Sequence, residues 1–354
     1  MARYNLAKLD LAKGDWAAAT EGYSRVLQVV PRLPEALAGR GQARLESGDV
    51  EGSLEDYSRA IRERPDQAEY YLSRALVGDK LGDSEHAVAD AGKALALGAK
   101  DPRAHLLIAH YNEKQANWDA VLQHCSLALE FSPNNSEALC MRARALMARG
   151  EMEPGLKAYG QALAASPDQW QIRVERAAAF HGQQRYDEAI ADCDKAIELH
   201  PEALYAYSLR AHCYLQKKQN DEALRDCEKA IAIDPRQTLP LLVRARVMLS
   251  RGDAARAVTD CTTALKLMPD SAWGYATLAL ALMQQSRPDD AVTVATKALQ
   301  IAPNDAESYA TRGRAFLSLR RYKSAAHDID RAIEIDPGLK TVLSVEVDEL
   351  KNRR

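Results

Sequence analysis

The chain reads as an all-α protein, an α-solenoid of ten 34-residue helix-turn-helix repeats plus a C-terminal capping helix. Three observations predict this. Pro31, Pro65, Pro133, Pro167, Pro201, Pro235, Pro269, Pro303 and Pro337 fall on one 34-residue lattice, which takes nine of the chain's 14 prolines. Its one empty node, Ala99, follows Gly98. Small residues recur in fixed columns of the same lattice. Within each period the apolar spacing is helical twice, with a polar turn between. A period of this length marks a stack of supersecondary units that bury their apolar faces only against neighbours.

Placing the lattice proline at position 32 gives repeats 1–33, 34–67, 68–101, 102–135, 136–169, 170–203, 204–237, 238–271, 272–305 and 306–339. Position 8 is Ala or Gly throughout, from Ala7 to Gly313. Position 20 is Ala in most repeats, with Ser53, Val121 and Gly155 as variants. Position 27 is Val26 and then alanine nine times, from Ala60 to Ala332. Small side chains at matching places let two helices approach closely. In repeat seven, Tyr207, Ala211 and Tyr214 mark the first helix, and Ala223, Leu224, Cys227, Ala230 and Ile231 the second.

Between the two helices lies a turn such as Gly14-Asp15, Gly48-Asp49, Gly82-Asp83, Gly150-Glu151 or Gly252-Asp253. Glycine stops the first helix, and the acid suits the positive end of the second. Pro34, Pro102, Pro154 and Pro288 fall in opening turns, where a missing N–H costs little. The lattice proline ends each second helix. After it, residues 340–354 are expected to form one capping helix, with Leu339, Leu343, Val347 and Leu350 as its apolar stripe.

Length alone suggests two or three domains, but the repeat predicts one continuous body over 1–339. Hydrophobic residues make up 47% and charged residues 27%, as in a folded, soluble chain. Net charge is −3 from 47 basic and 50 acidic side chains, so there is no electrostatic footprint for nucleic acid. No segment approaches the length of a membrane span. The N-terminus lacks the apolar core of a signal peptide, so a cytoplasmic location is the expectation.

Two columns vary together. Arg40, Arg74, Arg176, Arg210, Arg244 and Arg312 at position 7 accompany Asp56, Asp90, Asp192, Asp226, Asp260 and Asp328 at position 23. Where position 7 is Leu6, Ile108 or Leu278, position 23 is Gly22, His124 or Val294. Arg142 with Ala158 is the single mismatch. An arginine among apolar neighbours needs a partner, and a carboxylate matches its fork. A structural Arg–Asp ladder is therefore predicted.

Catalytic and metal chemistry find no support. Four of six cysteines occupy position 24, where Cys replaces a Tyr such as Tyr57 as a small core residue. Cys125 with Cys140 is the one pair placed to meet. No CxxC, zinc-spaced Cys/His cluster, HExxH, nucleophile elbow or phosphate loop occurs. GRGQAR at 39–44 is a first-helix segment whose glycines serve packing. No enzyme activity, cofactor or metal is expected.

At these small-residue columns, the closing proline and the form RAxxxxxxGDxxxAxxDCxxAIxIxP, the chain resembles the tetratricopeptide repeat (TPR) family over about residues 1–339. Two departures are the cysteines at position 24 and the arginines at position 7. The resemblance implies a right-handed superhelix whose concave groove binds peptides or partner domains. It places positions 2, 5, 9, 12 and 13 on the inner face. TPR domains that clamp two carboxylates of chaperone tails carry lysine at position 5. Here that column runs from Tyr4 and Ala38 to Ala310 without a lysine, so no such clamp is expected.

The inner-face candidates are Arg144, Tyr205, His212, Leu242, Arg246 and Trp273, with Leu249 and Met283 adding apolar surface. Aromatics with arginine are usual binding anchors. The competing reading is that Tyr205 and Trp273 merely pack on the preceding repeat. The expected function is a non-catalytic protein–protein interaction scaffold binding a protein or peptide, as a monomer or weak homo-oligomer, without nucleic acid or membrane insertion. The alternative is a TPR arm that positions protein substrates for a catalytic domain absent from this chain.

Overall fold

The computed structural model describes residues 2–352, which hold 22 helices and no strand. The chain divides into two compact units, Met1–Asp168 and Gln169–Arg354. The proline lattice carries no sign of this division. Each unit is an α-solenoid of five stacked helical hairpins.

In the first unit the hairpins are α1 (Ala2–Ala12) with α2 (Trp16–Val29), α3 (Pro34–Ser47) with α4 (Val50–Glu63), and α5 (Ala68–Lys80) with α6 (Ser84–Ala96). α7 (Pro102–Lys114) with α8 (Trp118–Phe131) and α9 (Ser136–Ala148) with α10 (Met152–Ala165) complete it. The second unit holds α11 (Trp170–Gly182) with α12 (Tyr186–Leu199), α13 (Leu204–Gln216) with α14 (Asn220–Ile233), and α15 (Thr238–Ser250) with α16 (Ala254–Leu267). α17 (Ala272–Gln284) with α18 (Pro288–Ile301) and α19 (Ala306–Ser318) with α20 (Tyr322–Ile335) follow.

The small-residue columns form the seam of every hairpin. Ala75, Ala109 and Ala211 at position 8 and Ala60, Ala196 and Ala332 at position 27 are fully buried. The approach is close: a Cβ added at Gly313 would stand 2.8 Å from Ile329 Cγ1, and one at Gly41 3.2 Å from the Tyr57 ring. A larger side chain in these columns would push the helices apart. Position 24 fills the space beside the seam: Tyr23, Tyr57 and Tyr159, the four cysteines, and Ile329 are all buried there.

The turn inside each hairpin uses one conformation ten times. Position 15 is left-handed in all ten repeats. Glycine takes it at Gly14, Gly48, Gly82, Gly150 and Gly252, and Ala116, Gln184, Lys218, Ser286 and Arg320 adopt it with φ of 54–59°. The Gly-Asp pattern therefore understated the turn, because five repeats hold it without glycine. The aspartates act as expected, and Asp15, Asp49 and Asp253 accept from Ala18, Gly52 and Arg256 backbone N–H.

Each lattice proline also shows its effect. The residue before it is extended, with φ of −142° and ψ of 84° at Arg64 and −142° and 93° at His200. At the empty node, Gly98 takes φ of +89° and Ala99 N–H reaches back to Ala94 O at 3.0 Å. That is a glycine stop of the Schellman type in place of a proline stop.

The C-terminal segment is two short helices where one was expected, α21 (Leu339–Val342) and α22 (Ser344–Asn352), broken at Leu343. Leu343 and Leu350 are buried with Ile329 and Ala332, and Leu339 and Val347 pack against them. The expected stripe thus covers the last apolar face. Arg353 and Arg354, the end of the expected capping segment, lie outside the described residues.

Candidate functional site

The Arg–Asp ladder is present in all six predicted repeats. Arg40 Nη2 and Nε reach Asp56 at 2.6 and 2.7 Å, and Arg74, Arg176, Arg210, Arg244 and Arg312 grip Asp90, Asp192, Asp226, Asp260 and Asp328 by the same two-pronged contact. Asp56 is fully buried, and Arg44 adds a third bond at 2.9 Å. The remaining arm of Arg40 reaches Ser24 of the preceding repeat, and Arg74 reaches Ser58, Arg210 Asp194 and Arg312 Thr296 in the same way. The ladder therefore ties neighbouring hairpins together as well as the two helices of one hairpin. This acceptor column at position 25 was not singled out from sequence, because Ser, Asp and Thr share no obvious type. Aromatic rings flank several rungs: Arg210 lies 5.6 Å from the Tyr207 centroid and 6.0 Å from that of Tyr214. In each rung both carboxylate oxygens of the aspartate are taken by the arginine of the same repeat, which is the arrangement of a structural tie.

The six cysteines are free and buried, Cys125 and Cys140 included. Burial pushes the thiols of Cys125, Cys213 and Cys261 up to about 12. No group of three or more metal-ligating side chains occurs among the described residues.

The sequence-derived inner-face residues fall into two sets. In the first unit Arg144 forms a two-pronged pair with Glu113 of the neighbouring repeat, at 2.6 and 3.1 Å. In the second unit Arg246 of repeat eight pairs with Glu307 of repeat ten through both Nη atoms, with Nη1 2.7 Å from Oε1. His212 of repeat seven lies 4.5 Å from the His181 ring centroid and 5.3 Å from that of Trp273, two repeats on. Burial, then His181 and Arg246, depress the His212 pKa to about 4, so the ring is neutral near pH 7. Position 9 of one repeat thus meets position 2 of the repeat after next, twice. Leu242 and Leu249 are buried in the core and offer no apolar surface, contrary to the expectation for them. Position 5 is a core column in most repeats, with Leu72, Leu106, Cys140, Ala276 and Ala310 buried there as Leu242 is. Tyr205 is the exposed member of the six.

The first unit differs at the equivalent places. Lys8 at position 9 of repeat one and Glu69 at position 2 of repeat three make no ion pair. They line a cleft of about 750 Å³ between the first helices of repeats one to three and the segment entering α7. Tyr23, Tyr57 and Tyr70 form its buried floor, and Tyr4, Leu11, Ala38, Leu45 and Leu76 its half-buried walls. Gly39 leaves room for the outer end of Tyr23: a Cβ there would stand 2.5 Å from Tyr23 Cζ and 2.8 Å from its hydroxyl. Glu35, Glu46 and Glu69 line the cleft with Lys8, Lys100, Asp101 and Arg103. Burial, with Glu69 and Glu46 adding to it, pushes the Tyr57 hydroxyl up to about 12. Sequence reasoning missed this cleft because it sought aromatics paired with arginine. The signal was the small pair Ala38-Gly39 opposite Tyr4 and Tyr23.

Among the described residues no helix is long and apolar enough to cross a membrane. No curated protein matches the chain in sequence. Family models described as tetratricopeptide repeat match residues 4–68 and 140–203, 204–237, 248–315 and 306–339. Three solved structures share the fold. A tetratricopeptide repeat protein from Parabacteroides merdae ATCC 43184 is 17% identical, with a TM-score of 0.57 over 70% of this chain and 98% of that one. The Cut9–Hcn1 hetero-tetramer of the APC/C is 13% identical, with a TM-score of 0.52 over 94% and 92%. PilF of Pseudomonas aeruginosa is 18% identical, with a TM-score of 0.52 over 58% and 94%. With the 34-residue hairpin, its small-residue seam and its proline stop all in place, the chain belongs to the tetratricopeptide repeat family, whose members are protein-interaction scaffolds.

Proposed function

We propose that the chain is a non-catalytic scaffold that binds an extended peptide segment of a partner protein in the cleft of repeats one to three. One observation carries this reading. Where the second unit joins position 9 to position 2 through Arg246–Glu307 and His212–Trp273, the same positions in the first unit leave Lys8 and Glu69 apart across an open cleft. A groove filled by its own side chains must lose those contacts before it can bind. An open one with a fixed aromatic floor does not, and preorganisation of this kind favours affinity. The absence of lysine at position 5 argues against capture of a chaperone tail by a two-carboxylate clamp. Tyr205, exposed on the second unit, is a separate candidate anchor.

The test is affinity capture with wild type, Gln42→Trp and Tyr205→Ala. Gln42 is exposed and lines the cleft, so the tryptophan fills space without entering the core. With equal far-UV circular dichroism and melting, Gln42→Trp is expected to lose at least one partner that wild type recovers. Equal recovery of every partner by Gln42→Trp would remove the cleft from consideration.

A further inference from the structure

We propose that a second binding site lies between repeats four and five, where Arg142 takes a carboxylate presented by an acidic side chain of a partner protein. The site is separate from the cleft of repeats one to three and does not depend on it. Arg142 stands at position 7, the column whose arginines in six other repeats each grip an aspartate at position 23. In repeat five that aspartate is replaced by Ala158, which is fully buried. Arg142 is half-buried, as the six ladder arginines are, yet it makes no hydrogen bond or ion pair among the described residues. A guanidinium stays charged at neutral pH, and holding one partly out of water without an acceptor is unfavourable.

A second change in the same repeat opens space beside it. Position 30 holds a larger side chain in nine repeats, among them Phe131 and Leu199, but Ala165 in repeat five. Ala164 and Ala165 border a pocket of about 350 Å³ that Arg142 also lines. Leu139 is its buried apolar wall, and Asn134 and Gln161 line it from more exposed places. Arg142 is the one charged side chain among the described residues that line it. The pocket thus presents a guanidinium and two amide groups, with no carboxylate of its own. The six rungs show what a guanidinium in this register holds, namely both oxygens of one carboxylate. An acidic side chain entering the pocket supplies the acceptor that Ala158 lacks, and its stem lies against Leu139 and Ala165. Phosphoryl groups are recognised by clusters of arginine, and here one stands alone.

A random nonapeptide display library is panned on the full chain, and recovered peptides are measured against Arg142→Met, Ala158→Asp and Gln42→Trp. Arg142→Met strands no carboxylate, so it should melt as wild type does. Ala158→Asp supplies the missing rung from within; should it fail to fold, Arg142→Met decides alone. The expected result is a set of peptides that lose tenfold or more in affinity on Arg142→Met and on folded Ala158→Asp, and that bind Gln42→Trp as they bind wild type. They share one aspartate or glutamate, and replacing it by its amide costs as much. Arg142-dependent peptides without a shared acidic residue, or none that depend on Arg142, would overturn the proposal. So would unchanged affinity for folded Ala158→Asp, or loss of the same peptides on Gln42→Trp. A melting temperature lowered by Arg142→Met would also count against it, by showing that the arginine already has a structural partner. Displacement by inorganic phosphate but not by acetate at equal ionic strength would give the pocket to a phosphoryl group instead.

Discussion

Asp56 is the best-held carboxylate of the ladder, and removing it gives the sharpest test of what the ladder contributes. It is fully buried and accepts from Arg40 Nε at 2.7 Å, Arg40 Nη2 at 2.6 Å and Arg44 Nη1 at 2.9 Å. Charge-assisted bonds are worth about 1.5–3 kcal/mol each when one partner is deleted. Their plain sum overstates the effect, because Asp56→Ala also removes the desolvation of the carboxylate. What it leaves is Arg40, 12% exposed, with Ser24 as its remaining acceptor. Deleting one partner of a buried pair costs about 3–5 kcal/mol, so we expect about 4. Asp90→Ala should cost about 1–2 kcal/mol, since Asp90 and Arg74 are more exposed, at 14% and 27%. Urea unfolding followed by hydrogen exchange locates the loss. Amides of α3 and α4 should exchange up to about a thousandfold faster, and those of repeats nine and ten should not change. Arg40→Met/Arg44→Met/Asp56→Leu should recover most of the stability, because no buried charge then stands alone. If Asp56→Ala costs under about 1 kcal/mol, the ladder is an ornament of the surface and the argument is wrong.

Two further outcomes are expected. Lys218→Gly and Ser286→Gly should each stabilise the chain by about 0.5–1 kcal/mol, because a left-handed residue with a side chain costs about 1–2 kcal/mol and glycine's added backbone entropy offsets only part of the relief. Gly252→Ala should lose about 1 kcal/mol, and thermal melts that rank these variants in reverse would contradict the account of the turn. The second outcome concerns acid. His212 has its pKa depressed in the fold to about 4 from 6.5, so between those values the unfolded chain holds more protons than the folded one. Stability must then fall as pH drops from 6.5 toward 4. The full effect would be about 3 kcal/mol, which partial exposure of the ring reduces to about 2. His105, His124 and His181 are shifted the same way by burial and add to the slope. His212→Leu should flatten it, and parallel urea-stability profiles for wild type and variant between pH 7 and 4.5 would refute this.

Much of the molecule was legible before any coordinates. Alanine columns at positions 8 and 27, Arg–Asp covariation at positions 7 and 23, and cysteines as core fillers all follow from local spacing; the small-residue columns recur in all ten repeats or nearly so, the Arg–Asp pair in six and the core cysteine in four. Repetition lets one repeat stand as evidence for the next. The left-handed turn at Ala116 or Lys218 was illegible because no residue type announced it; the hairpin geometry imposes it against propensity. Burial of Leu242 was likewise hidden, since it depends on how closely one first helix lies over the next. The break at Leu343 falls inside an unbroken apolar stripe.

The amino-acid sequence by itself determined the hairpin, its length, its seam and its stops, because those depend on contacts within 34 residues that the chain repeats. Only the tertiary structure decided which part of the inner face is open. Arg246 meets Glu307, and His212 meets Trp273, across an intervening repeat, while Lys8 and Glu69 at the same register stand apart. That difference arises from the spacing of non-adjacent helices. Small rotations between hairpins accumulate to set that spacing, and no single repeat encodes it.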